Sequence, residues 1–180
     1  MATRLFLGID PGVHGAVACF YSHRGLKPPE IFDTPNLKVN KKTVSDISGM
    51  ADLISKYNPE LYANVEVFAI IEHVHAMPGQ GVVSTGNLLK NFGIWLGLLA
   101  GIDSEKFRYV EISPVKWKKY YDLLKLPKEA AIEKAMEYWP GIDLLRPTPK
   151  GKKKKPVHDR ADAALMAGFV RENYRTLFKL

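Results

Sequence analysis

The stretch HDRADAALMA places Asp159 and Asp162 three residues apart in an apolar segment of helical pattern. Positions three apart share one face of a helix, so both carboxylates project together from its first turn. Two more acids end apolar runs: LFLGID delivers Asp10 and VFAIIE delivers Glu72. A carboxylate at the end of a buried strand must be desolvated, paired or metal-bound, because an isolated buried charge is very costly. Taken singly, each has an ordinary explanation. Asp10 and Glu72 would emerge into solvent where their strands stop, or cap a turn, and Asp159 would complement the positive end of a helix. Asp162, in the middle of ADAALMA, fits that explanation least. If the helix packs against the ends of both strands, the four carboxylates converge, and such a cluster needs divalent cations. Hard oxygen ligands select Mg²⁺, with Mn²⁺ as a substitute. Two ions ~3.5–4 Å apart activate a water and stabilise the leaving oxygen of a phosphodiester.

Other residues frame this cluster. GIDPGVHGA sets Gly8, Gly12 and Gly15 around a tight turn, in neither the dinucleotide nor the phosphate-loop spacing. His73 and His75 alternate after Glu72, where a structural or solvent-facing role competes with that of a general base. His158 adjoins Asp159 as an accessory residue that could reach a phosphate or a metal-bound water. Five lysines, Lys150, Lys152, Lys153, Lys154 and Lys155, fall in the biased segment 147–156 just before the acidic helix. They form either a solvated loop or a set of phosphate contacts, and the net charge favours the second.

The elements that would position these groups can be read from periodicity. Residues 5–9 and 16–21 are short apolar runs around DPGVHG and form a strand hairpin, with EIFDTP as a third, edge strand. Residues 43–57 carry apolar positions at helical spacing, with Thr43 or Ser45 as cap. VEVFAIIE is apolar enough for a strand buried on both faces. Residues 82–101 read as a long helix and 107–112 as a strand, with helices at 114–124, 128–139 and 159–177. Early strands and later alternating helices define a mixed α/β or α+β layered domain.

At 180 residues and 46% hydrophobic content, the chain is expected to form one domain spanning 1–180. Lys and Arg number 26 against 19 Asp and Glu, a net charge of +7 that points to a polyanionic partner. The lone Cys19 excludes a disulfide framework and a thiolate metal cluster, and fits a reducing interior. MATRLFLGID reaches an acid too early for a signal peptide, and FGIWLGLLAGI is about half a ~20-residue span. These features predict a soluble, cytoplasmic protein with no membrane partner.

IDPGVHGA with Asp10, IIEHV with Glu72, and HDRADAALMA with Asp159 and Asp162 resemble, in order and spacing, the RuvC-type Holliday junction resolvases. The resemblance implies an RNase H-like fold, a mixed central sheet flanked by helices. It also implies a Mg²⁺-dependent homodimer, with two ions per site, that nicks four-way DNA junctions symmetrically. Carried over by position, Asp10, Glu72, Asp159 and Asp162 are the catalytic metal ligands. SPVKWKK resembles the family's proline-led basic segment, which makes Lys116, Lys118 and Lys119 expected DNA contacts, with Lys118 near the scissile phosphate. After Glu72, HVHAMPGQGVVSTGNLLKNFGIWLG looks more like phage-borne and organellar relatives, so cleavage sequence preference does not transfer.

Three other readings compete. One is an RNase H-like nuclease acting on forks, flaps or RNA–DNA hybrids, and another is a catalytically silent junction-binding module. The third is an actin-like ATPase, but that architecture needs a second domain for which 180 residues leave no room. The symmetry of a four-way junction calls for two related active sites, hence a homodimer. Helix 82–101 is apolar nearly all round, which predicts burial on more than one side: against the partner, with Trp95 as the candidate anchor, or under the chain's own later helices.

Overall fold

The computed structural model describes residues 3–25, 27–62, 64–76, 79, 81–146 and 156–180, without the Arg24 side chain. In chain order its strands and α-helices are β1 (Thr3–Ile9), β2 (Ala16–Tyr21), β3 (Glu30–Asp33), β4 (Asn36–Val39), β5 (Lys42–Ser45), α1 (Ile47–Ser55), β6 (Val65–Glu72), α2 (Val82–Ala100), β7 (Phe107–Ile112), α3 (Pro114–Tyr120), α4 (Glu129–Tyr138) and α5 (His158–Leu177). Five strands form one mixed sheet of order β3-β2-β1-β6-β7. The β1–β2–β3 meander is antiparallel, whereas β1, β6 and β7 run parallel. Strands β4 and β5 pair only with each other.

Side chains alternate across a strand, and both faces of the central strands are covered here. Leu5, Leu7 and Ile9 of β1 pack with Val67 and Ile71 of β6 against α1 and α2, through Met50, Leu53, Phe92, Trp95 and Leu99. Phe6, Phe68 and Ile70 face the opposite way, onto α5 and the aromatic side chains Trp117, Tyr121 and Trp139. The middle of α5 is a run of small residues, Ala161, Ala163, Ala164, Ala167 and Gly168, all buried. That run lets the helix lie very close to the sheet. Gly8 sits beneath it, where an added Cβ would stand 2.3 Å from both the Ala163 carbonyl oxygen and the Ala167 nitrogen.

Most of the expected elements stand where the sequence puts them, with three corrections. The helix expected from residue 43 begins at Ile47, and its cap is Asp46, which accepts from the Gly49 N–H at 3.0 Å, and neither Thr43 nor Ser45. Residues 42–45 instead complete a hairpin whose turn residues Asn40 and Lys41 both have positive φ, the geometry favoured by two-residue hairpin loops. Helix α3 stops at Tyr120 instead of 124, because Asp122 takes a left-handed conformation that ends the run. Trp95 is wholly buried in the chain's own core and cannot be an anchor against a partner. Residues 147–155 lie outside the described part, but their flanks are joined: Leu145 pairs with Pro156 in an antiparallel bridge, and the Val157 N–H donates to the Leu144 carbonyl at 3.0 Å. No helix among the described residues is long and apolar enough to cross a membrane.

Candidate active site

The face of the sheet covered by α5 also carries the acids. Phe6, Gly8 and Asp10 share one side of β1 and its continuation, and Phe68, Ile70 and Glu72 share the same side of β6. The two strands run in register up to Ile9 and Ile71, so Asp10 and Glu72 emerge next to each other one residue later. The first turn of α5 lies over those strand ends. A cavity of about 440 Å³ opens there, and Asp10, Glu72, Asp159 and Asp162 all line it, together with Lys118 and His158. The convergence expected from spacing is therefore present in the fold.

Asp10, Glu72 and Asp159 are each held by a neighbour of identifiable origin. Gly12 donates its N–H to Asp10 Oδ1 at 2.9 Å, which is one use of the glycine-containing turn. The Trp117 indole N–H donates to Glu72 Oε2 at 2.8 Å and fixes that side chain from α3. Asp159 is gripped on both oxygens, by His158 Nδ1 at 2.8 Å and by Arg146 Nη2 at 3.3 Å. Arg146 also reaches Asp33 Oδ1 at 3.2 Å and the His14 carbonyl, so one guanidinium ties β3, the β1–β2 turn and α5 together.

The electrostatics match a cluster of like charges in a confined place. Burial pushes the Asp10 carboxyl well above its usual range, the Gly12 hydrogen bond opposes this, and Asp159, Asp162 and Glu72 push it further. Burial also raises Glu72, against the pull of Trp117 and Lys118. Asp162 is pushed up to about 7, first by burial, with Lys118 opposing and Glu72 and Asp159 adding to the effect. The side chains share the cavity without closing into a cage: among the described residues, no three His, Cys, Asp or Glu groups stand together as a metal-binding set. The donors nevertheless suit a hard divalent cation, being carboxylates whose burial disfavours their own negative charge. Asp159 would exchange its Arg146 contact for such an ion.

A prediction follows from the raised acids. A carboxyl raised in the folded state contributes stability that is fully present below its unfolded pKa and is lost as pH rises through its folded value. At ~1.4 kcal/mol for each pH unit, Asp162 alone accounts for up to about 4 kcal/mol between pH 4 and 7. The melting temperature in EDTA is therefore expected to fall from pH 5 to pH 8, with Mg²⁺ or Mn²⁺ restoring it most at the higher pH. Asp162→Asn should flatten this dependence. A melting temperature indifferent to both pH and metal would contradict the reading.

The remaining expected residues divide clearly. Lys118 lines the cavity, with its ammonium 5.2 Å from the centre of the Trp117 ring, whereas Lys116 and Lys119 are exposed elsewhere on α3. His158 lines the cavity as well. His73 and His75 do not line it: His73 pairs with Glu111 at 2.6 Å and stacks on His75. Lys150, Lys152, Lys153, Lys154 and Lys155 lie outside the described residues. Sequence reasoning missed Trp117, Arg146, Lys125 and Lys128, the two lysines being further cations of the cavity wall. Trp117 had a signal, since it stands inside SPVKWKK. Arg146 had none, because its partners are separated from it by up to 132 residues.

No protein-family model matches the sequence, and neither does any curated protein. Solved structures do match. Thermus thermophilus RuvC in complex with a Holliday junction substrate superposes with a TM-score of 0.52 at 14% identity, covering 96% of each chain. A second structure of Thermus thermophilus RuvC reaches 0.49 at 13% identity, over 94% of this chain and 95% of that one. With the mixed five-stranded sheet between two helical layers, the first of these defines the class: this is an α/β domain of RNase H-like fold. Within that class, the fold is similar to that of Thermus thermophilus RuvC.

Proposed function

We propose that the chain is a structure-selective DNA endonuclease that resolves four-way junctions by paired, symmetric nicks. The observation that carries this reading is the meeting of four carboxylates, from β1, β6 and α5, with Lys118 on one cavity. Asp10, Glu72, Asp159 and Asp162 would hold two Mg²⁺ ions, which when bound supply water activation and charge neutralisation at the leaving oxygen. The protein's own groups do the positioning. Gly12 and Trp117 orient Asp10 and Glu72, and Lys118 offers an ammonium to a phosphate oxygen entering the cavity. That one solved structure of this fold holds a Holliday junction substrate supports the choice of branched DNA.

The symmetric substrate calls for a homodimer, and α2 offers the surface for one. Its inner side carries Phe92, Trp95 and Leu99 into the core. Along its exposed part, Gly86, Gly93 and Gly97 have open space where a Cβ would be, and Val82, Val83 and Leu89 are exposed at 88%, 78% and 39%. Glycines permit close approach of a second helix, and exposed aliphatics supply area to bury. The test is incubation of the purified protein with end-labelled four-way junction, fork, flap, RNA–DNA hybrid and plain duplex, with and without Mg²⁺, beside sedimentation at micromolar concentration. Paired nicks in the junction, metal-dependent and made by a dimer, are expected. Preferred cleavage of the hybrid would replace this reading with a ribonuclease, and a monomer bound singly to each junction would remove the dimer.

A further inference from the structure

The β4–β5 hairpin has no part in the site just described. It stands apart from the central sheet, and residues 36–42 are all exposed. Isolated two-stranded hairpins are marginal in water, so its persistence needs external anchors. It has them at its base. The Asn36 side chain donates to the Thr34 carbonyl at 3.1 Å and the Val13 carbonyl at 3.4 Å. On the opposite strand of the base, the Ser45 hydroxyl donates to the side chain of Asn91, which is 1% exposed, and the Asn91 amide donates to the carbonyl of Pro11, next to Asp10. The ribbon is thus fixed to the turn that carries Asp10, while its far end projects freely.

The composition of that free end is one-sided. Residues 36–45 contain Lys38, Lys41 and Lys42 and no acid. Lys41 lies in the tight turn, Lys42 pairs across from Val39, and Lys38 pairs across from Thr43 and donates to its hydroxyl. Lys90 of α2 lines the groove of about 310 Å³ between hairpin and helix, beside Val39, Val44 and Ile94. Leu37, Val39 and Val44 are 50%, 49% and 38% exposed, an apolar side that a protein partner would also fit. The lysines decide between the two, because Lys is depleted from the cores of protein interfaces and enriched where phosphates are contacted. A two-stranded ribbon is also of a width that enters the major groove of duplex DNA.

We infer that the β4–β5 hairpin is a second nucleic-acid-binding element, which grips a duplex arm of the branched substrate through Lys38, Lys41 and Lys42 at a fixed position relative to Asp10. The inference rests on the proposed function and extends it: the cavity would take the scissile strand and the hairpin an arm beside it. The test is the full-length triple variant Lys38→Ala, Lys41→Ala, Lys42→Ala, whose changes are all at exposed positions. Binding of fluorescein-labelled four-way junction and of plain duplex is measured by anisotropy in EDTA over a salt series, with melting and sedimentation as controls. The junction Kd is expected to rise by about tenfold or more, with the log–log salt slope smaller by up to ~2.7 if each lysine meets one phosphate. The melting temperature should not change. An unchanged Kd and slope in the variant, beside a wild type that binds junctions, overturns the hairpin assignment alone. A variant that turns monomeric where the wild type is a dimer also overturns it, and assigns the ribbon to a second copy of the chain. A wild type that binds no junction removes the proposed function and this inference with it.

Discussion

Asp10→Asn and Glu72→Gln are each expected to reduce junction nicking by at least about 100-fold, equivalent to ~2.7 kcal/mol of transition-state stabilisation, while leaving junction affinity in EDTA within about twofold of wild type. Both acids line the cavity at adjacent strand ends and are oriented by donors from the surrounding chain, Gly12 and Trp117. In the proposed function they hold cations, so neutral isosteres would keep the shape and remove the charge the cations need. Neither acid is placed to hold phosphate, so affinity should survive. The same substitutions should raise the melting temperature in EDTA, because burial already disfavours the charged forms. Loss of activity with gain of stability separates a metal-holding acid from a structural one, whose removal would lower both. Cleavage above about a tenth of wild type in both variants would remove these residues from the site.

The second large effect is expected at a residue with no functional group. Gly8 lies beneath α5, and a methyl group there would meet the Ala163 oxygen and Ala167 nitrogen at 2.3 Å and the Met166 carbonyl carbon at 2.8 Å. All three are main-chain atoms, so no rotamer change relieves the clash. Helix α5 must then retreat by about 1 Å to regain ordinary contact distances. Overpacking of this kind costs on the order of 3 kcal/mol, so Gly8→Ala should lower the melting temperature by roughly 6–12 °C for a chain of this size. It should also lower nicking by about 100-fold at temperatures where the variant is folded, because Asp159 and Asp162 ride on the displaced helix while Asp10 does not. A variant with wild-type melting and activity would show that the helix does not set the separation of the acids.

How far the sequence disclosed this arrangement depended on the range of the interactions involved. Local periodicity was enough for the central strands, since β1 and β6 are buried on both faces and read as continuous apolar runs. It was enough for the acids too: Asp10 and Glu72 follow those runs directly, and the three-residue spacing of Asp159 and Asp162 is a property of one helix. The β4–β5 hairpin escaped because Val44 and Ile47 continue into the apolar spacing of α1, so a helix start at residue 43 accounts for the same letters. Trp95 was expected at a partner because α2 looks apolar all round, whereas its aromatic side is filled by the chain's own α1 and sheet. Arg146 could not have been found at all. Its role comes from Asp33, His14 and Asp159 meeting in space, and no spacing in the sequence records that.

The bridge between Leu145 and Pro156 brings the chain back to where it left, just ahead of α5 with Asp159 and Asp162. Helix α5 receives its position from the sheet beneath it, from the bridge, and from Arg146, whose guanidinium reaches Asp159 at 3.3 Å. Lengthening a connection whose ends are already joined is thermodynamically mild, ~0.6 kcal/mol for each doubling. A change in the length or charge of segment 147–155, which holds five lysines, is therefore expected to leave the position of α5 unaltered.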